Sequence, residues 1–229
     1  MAEAEGAVST DGRRLRWAEH RTQRRAAFVE AGVSAVDVHG PSASAEQIAE
    51  SAGVSRTVLY RYFKDKDDLR QAIADQIVGQ VITSVMPHLV LNAESTPRDV
   101  ITSTASTIIG WFDQHPNFYA FLREQQSSLG AVETTLADRV AYLLRGLMMF
   151  FGLPSDQAEP GAYGLVGFVE SSCAWWLARR NQPTTMSRDR FTESVCQGIW
   201  YMLDGFARAS GISIGYDEPL PFAALTGGR

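Results

Sequence analysis

The sequence predicts an all-α protein in two parts: a small N-terminal unit containing a helix-turn-helix, and a larger helical bundle. Three observations carry this. Apolar residues recur at spacings of three and four from Phe28 to Phe206, the period of one helix face. No stretch alternates apolar and polar residues in the manner of a strand. Residues 44–69 hold two short helical patterns that meet at Gly53, a residue that accepts the left-handed backbone of a tight inter-helix bend.

The elements follow in order. Residues 1–12 are small, polar and acidic, and their composition predicts a disordered tail. A helical pattern begins near Leu15, with its inward stripe at Phe28, Gly32, Ala35, Val36 and His39; Gly40-Pro41 ends it. Ser44 opens the next helix with Gln47 three residues on, the spacing of a capping box. Ser55 starts a third helix through Tyr62, and Asp65 caps a fourth that carries Leu69, Ile73, Ile77 and Val81 inward as far as Pro87. Further stripes run through Ile101, Ala105, Ile108 and Phe112, and through Leu136, Val140, Leu143, Leu147 and Phe151. Residues 117–128 form a short aromatic helix. Residues 161–179 are apolar almost all round, which predicts a helix buried on more than one side. Phe191, Val195, Ile199, Met202 and Phe206 mark the last helix, and the tail from Gly211 has no period.

Composition narrows the class. The 229 residues are 45% hydrophobic and 21% charged, ordinary for a globular protein, with no apolar run of membrane-spanning length. There is no signal-type apolar stretch, and there are only two cysteines, Cys173 and Cys196; together these favour the cytoplasm and reduced thiols. The net charge of −5 is unevenly spread. Residues 13–66 carry ten Lys/Arg against six Asp/Glu, a net +4, while residues 67–229 carry 11 against 17, a net −6. A basic segment on an acidic body fits a part that touches phosphate, or else a solvated basic face.

Within 44–69, Ile48, Ala49, Ala52, Val54, Val58 and Leu59 face inward and are small or branched, so two helices can cross closely. The second helix turns Ser55, Arg56, Thr57 and Arg61 outward, a polar face suited to the major groove. The stretch Ile48-Ala49, Ala52-Gly53-Val54-Ser55, Leu59-Tyr60-Arg61-Tyr62-Phe63, Lys66 and Leu69 resembles the DNA-binding domain of the TetR family of transcriptional regulators. The resemblance covers roughly residues 26–70. It implies base contacts from Ser55, Arg56 and Thr57, phosphate contacts from Tyr60 and Lys66 with Arg61 beside them, and a capping role against the backbone for Ser44. Phe63 would be a core residue. One departure is Ala31-Gly32 where many relatives have two alanines; a helix-interior glycine costs ~1 kcal/mol against alanine or permits closer packing. The basic run Arg13, Arg14, Arg16 and Arg21, with Arg24 and Arg25, reads either as an arm adding phosphate or minor-groove contacts or as a solvated helix end.

The resemblance divides the chain into a DNA-binding domain at 13–68, a ligand-sensing and dimerisation domain at 69–210, and a tail at 211–229. Its last two helices would pair with those of a second copy, and Trp176, Val195, Ile199 and Phe206 are the candidate dimer residues. Helices that enclose a ligand in relatives supply Trp111, Phe112, Phe118, Phe121, Met148 and Phe168. Aromatic and Met side chains suit an apolar ligand, although each could equally be core. Glu170 and Ser172 are polar groups in an otherwise apolar helix and need partners, a ligand among them.

The reading is a homodimeric regulator, a repressor by family default, that binds a near-palindromic operator and is released by a bulky, mostly apolar small molecule. No cofactor is called for. The alternatives are a DNA-binding protein of this type without a ligand, and an all-α enzyme. Against the enzyme, His20, His39, His88 and His115 are scattered, and neither a nucleophile elbow nor a phosphate-cradling glycine loop is present.

Overall fold

The computed structural model describes the backbone of residues 4–221 and the side chains of residues 17–125 and 128–221. The helices are α1 (Ala4–His39), α2 (Ala45–Ser51), α3 (Arg56–Leu59), α4 (Lys66–Val85), α5 (Pro97–Gln114), α6 (Pro116–Glu124), α7 (Gln126–Phe150), α8 (Ala158–Leu177) and α9 (Arg188–Ala209), with no strand among the described residues. They fall into two compact units. Among the described residues, the first comprises 4–77 together with 117–128, and the second 78–116 together with 129–221.

α1 reaches back to Ala4, over most of the segment whose composition suggested a disordered tail. Ala4, Glu5 and Ala7 are strong helix formers, and an acidic first turn is favoured by the helix dipole. Its inward face is Phe28, Val29, Gly32, Val33, Ala35 and Val36, whereas His39, expected on that stripe, is exposed in the last turn. The helix unwinds at Gly40, whose φ of +84° only glycine adopts without strain.

In the first unit α1 packs on α2, and Ile48, Leu59, Leu69, Ile73 and Ile77 are closed off from solvent. Gly32 has a reason to be glycine: a Cβ there would lie 2.4 Å from Ile73 Cδ1. The close approach of α1 to α4 therefore offsets the helix penalty. α6 belongs to this unit, with Phe118, Tyr119, Phe121 and Leu122 buried. The Asn117 amide donates to the Asp37 carbonyl at 2.7 Å, near the end of α1.

In the second unit α5 packs along α9, and α8 also meets α9. Ile101, Ala105, Ile108 and Phe112 form the buried stripe of α5. Trp176 of α8 stacks on Phe191 of α9, ring centroids 5.0 Å apart, while its indole N–H donates to the Met186 carbonyl at 3.0 Å. Asp113 ties the end of α5 to Arg180 at 2.9 Å. The segment after α9, without period in the sequence, is held on α5: Tyr216 O accepts from Arg98 N–H at 3.0 Å and Leu220 N–H donates to Ser95 O at 2.8 Å.

Candidate nucleic-acid interface

The interface is built from α2, the turn at Gly53 and α3. Ser44 caps α2 with a reciprocal box: its hydroxyl accepts from Gln47 N–H at 3.2 Å, and the Gln47 side chain accepts from Ser44 N–H at 2.8 Å. Such a cap stabilises a short helix by about 0.5–2 kcal/mol. Gly53 has φ +64°, and nothing lies within 4 Å of where its Cβ would be, so backbone conformation alone demands glycine there. The α-helix of α3 is four residues long; beyond Leu59 the chain continues to Tyr62 in tighter turns, with Arg61 N–H donating to Val58 O and Tyr62 N–H to Leu59 O. The α-helical part of the third helix is thus shorter than the pattern to Tyr62 implied, and Leu59 and Phe63, on either side of the tighter turns, are both buried.

Ser55, Arg56, Thr57, Arg61 and Lys66 are exposed, Tyr60 is half-buried, and Leu59 and Phe63 are buried. Ser55 sits at the α3 N-cap without a side-chain capping bond. Ser44, by contrast, commits its hydroxyl to α2.

Arg56 is not loose. Its Nη1 lies 2.6 Å from Glu46 Oε1, and its guanidinium stands 5.5 Å from the Tyr60 ring centre. The Glu46 carboxyl is held below its ordinary value, chiefly by a hydrogen bond to its own backbone N–H and further by Arg56 and Ser44, with desolvation opposing them. Glu46 thus aims the central cation of the reader, a role that only the α2–α3 crossing reveals.

Of the basic run, Arg13, Arg14 and Arg16 lie outside the described side chains. Arg21 is exposed on α1, its Nη2 3.5 Å from the Arg61 carbonyl oxygen. Arg25 serves the fold: it pairs with Asp68 at 2.8 Å and covers the Phe63 ring at 4.7 Å. The same Asp68 accepts from Lys64 N–H at 2.9 Å, and its own N–H donates to the Asp65 side chain at 2.9 Å. These bonds cap α4, which begins at Lys66, and fix the loop that carries Lys64 before it.

The expected ligand residues fall in both units. Phe118 and Phe121 are buried in the first, with the Arg70 guanidinium over Phe121 at 4.5 Å. Trp111, Phe112, Met148, Phe168, Glu170 and Ser172 belong to the second. There Trp111 meets Phe112 edge-on at 5.3 Å, and Phe168 occupies the space where a Cβ on Gly198 would stand, 2.6 Å away. Burial, and after it Glu170, raises the pKa of Glu133, and the same two causes push Cys173 up to about 12. An open groove of about 800 Å³ between α5 and α9 is lined by none of the eight. Of the dimer candidates, Trp176 and Val195 are buried within the chain, Ile199 is half-buried and Phe206 is exposed, as are Tyr163 and Trp175 of α8 and Tyr201 of α9.

Among the described residues no group of three His, Cys, Asp or Glu could hold a metal ion, and no helix is long and apolar enough to cross a membrane.

Residues 28–73 match the family model of bacterial regulatory proteins of the tetR family. The chain is 30% identical over 211 residues to an HTH-type transcriptional regulator of Mycobacterium tuberculosis, covering 89% of this chain and 87% of that one. It is similar in fold to a tetR-family transcriptional regulator of Streptomyces coelicolor, with a TM-score of 0.63 and 16% identity over 80% of this chain and 84% of that one. It is similar as well to FadR of Bacillus subtilis, solved with stearoyl-CoA, with a TM-score of 0.61 and 15% identity over 78% and 97% of the two chains.

Proposed function

The chain belongs to the tetR family of bacterial regulatory proteins and is a DNA-binding transcriptional regulator; from that premise we propose that it binds a near-palindromic operator as a homodimer, represses, and is released by a bulky, mostly apolar small molecule. The observation that carries the DNA half is the exposure of Ser55, Arg56 and Thr57 together at the start of α3, with Arg61 and Lys66 beside them. Base contacts come from Ser55, Arg56 and Thr57, and phosphate contacts from Tyr60, Arg61 and Lys66. Arg13, Arg14, Arg16 and Arg21 add further phosphate contacts from α1.

Dimerisation is supported by Tyr163 and Trp175 on α8 and Tyr201 and Phe206 on α9, large apolar side chains left exposed in a single chain. Two recognition helices on one face of B-DNA need about 34 Å between them, which a two-fold dimer supplies. The apolar effector is supported by the aromatic content of α5, α7 and α8 and by FadR, which was solved with a long-chain acyl ligand. A ligand need only prefer the arrangement that cannot hold the operator; a coupling of about 1–3 kcal/mol changes operator affinity ~5–150-fold.

One observation favours a regulator without an effector: Phe112, Phe118 and Phe121 are all packed in cores. A single experiment separates the readings. The operator is selected from genomic DNA, its affinity is measured by fluorescence anisotropy, and long-chain acyl compounds are titrated into the complex. Release at saturable concentration supports the proposal; tight operator binding that no compound in the set weakens supports the ligand-free form. A protein that shows no sequence preference sinks both. Loss of residues 1–16 that leaves the salt slope unchanged removes the basic arm from the interface.

A further inference from the structure

The groove between α5 and α9 belongs to the second unit, and none of the candidate effector residues lines it. Its α5 wall follows Arg98, Thr102, Ser106, Gly110 and Gln114, one residue per turn, so it runs roughly 24 Å along the helix at 1.5 Å per residue. Its volume of about 800 Å³ falls within the ~300–1,000 Å³ of small-molecule sites.

One end of the groove is occupied by the chain itself. The Tyr216 ring packs against Trp200 of α9 with centroids 4.6 Å apart, and the Arg98 guanidinium lies 4.4 Å from the same ring. Arg98 also grips the Asp217 carboxylate through two nitrogens, Nε to Oδ1 and Nη2 to Oδ2, the latter at 3.1 Å. Trp200 and Arg98 thus already receive an aromatic ring and a carboxylate from two adjacent residues. A planar fork donating twice to a carboxylate is the geometry by which arginine recognises that group, and here it adjoins an aromatic ring that packs in turn on an indole. The pair is also open to exchange, since the Arg98 and Asp217 side chains are 53% and 68% exposed.

We propose that the α5–α9 groove binds aromatic carboxylates, with Arg98 and Trp200 as the recognition pair and Tyr216-Asp217 as an internal competitor. The incoming carboxylate takes the fork of Arg98 in place of Asp217. The ring of the ligand lies toward Trp200, and the hydroxyls of Thr102 and Ser106 line its path along the groove. Binding therefore loosens the segment 216–220 from the start of α5. The site is independent of the apolar effector.

The test is calorimetric titration of the full-length protein with 4-hydroxyphenylacetate and, separately, with its uncharged amide. The acid should bind saturably, and the amide about tenfold more weakly or worse, since a charged hydrogen bond is lost. Asp217→Asn should tighten the acid about two- to fivefold by removing the competing charge. Arg98→Gln should abolish the preference for the acid, with helix content by circular dichroism confirming that the variant folds. Equal binding of acid and amide, or no saturable binding in either the parent or Asp217→Asn, overturns the proposal. Unchanged affinity in Asp217→Asn overturns the role of Asp217 as competitor.

Discussion

Arg70 Nη2 donates to Glu124 Oε2 at 2.9 Å, joining α4 to α6, two helices far apart in sequence within the same compact unit. Nη1 of the same guanidinium donates to the Pro41 carbonyl at 3.0 Å, and the group lies 4.5 Å from the Phe121 ring centre. One side chain, itself largely buried, thus holds the α1–α2 loop, α4 and α6 together. With Gln71 bonded to the buried Ser128 at 3.0 Å, this explains why residues 117–128 cluster with the DNA reader rather than with the rest of the bundle.

Arg70→Ala should destabilise the protein by about 2–4 kcal/mol, because it removes a hydrogen-bonded pair of low exposure and strands the Pro41 carbonyl. Glu124→Gln should cost less, about 0.5–1 kcal/mol, since Glu124 is half-exposed and the amide oxygen still accepts. Urea unfolding of the two variants measures both. Equal losses would show that the arginine acts through Glu124 alone.

Gly32→Ala sets two effects against each other. Alanine gains about 1 kcal/mol of helix propensity. Its Cβ would stand 2.4 Å from Cδ1 and 2.7 Å from Cγ1 of Ile73, a residue with no exposed surface and little room to move. Overpacking of this kind costs about 1–3 kcal/mol, so the net change should be destabilising. Adding Ile73→Val, which removes Cδ1, should recover part of the loss. A thermal melt in which Gly32→Ala is more stable than the parent would refute the close approach of α1 to α4.

The features legible in the sequence were those written in neighbouring residues. The Ser44–Gln47 box, the left-handed Gly53 and the Asp65 cap each depend on a span of four residues or fewer, and each stands where its residue types require. What sequence periodicity could not reveal depends on partners distant in the chain. It put His39 on the inward stripe of α1, whereas burial on that stripe ends at Val36 and His39 is exposed in the last turn. An apolar excess on α8 and α9 does not say which residues serve the chain's own core, and Trp176 and Val195 do, through Phe191 and its neighbours. The orienting acid Glu46 gave no signal, because its tie to Arg56 exists only once α2 and α3 cross.

Glu46→Gln should release Arg56 and remove a negative charge beside the DNA-facing helix. Operator affinity should rise about two- to fivefold, with a salt slope steeper by about one unit, while Arg56→Ala should lower affinity by about 1–3 kcal/mol. The Glu46 carboxyl lies below the usual carboxylate range, so its contribution is present above the ordinary value and is lost only as pH falls through the lowered one. Between pH 5 and 8 the Glu46–Arg56 pair should therefore add no pH dependence to binding. Fluorescence anisotropy at several salt concentrations checks each outcome. A drop in affinity for Glu46→Gln would mean that aiming Arg56 outweighs freeing it.

Cys173 offers a test of the second unit. Burial first, and then Glu170, push its thiol from 9.0 up to about 12, and burial also raises Cys196. A thiolate is the reactive form, so at pH 8 neither cysteine should react with an aromatic disulfide reagent until urea opens the fold. The sign for stability follows from proton binding. Below about pH 9 the thiol is neutral in both folded and unfolded chains, and its contribution is complete. As pH rises from about 9 to about 12 the unfolded chain ionises while the folded one does not, and stability falls. Tyrosines and lysines titrate in the same window, so the informative quantity is a difference. Cys173→Ala should be less stable at pH 8, through the small cavity it leaves, and should lose less stability than the parent between pH 9 and 11. Parallel alkaline slopes in the two proteins, or prompt labelling of Cys173 in the folded state, would show that this thiol is not sealed between α8 and its neighbours.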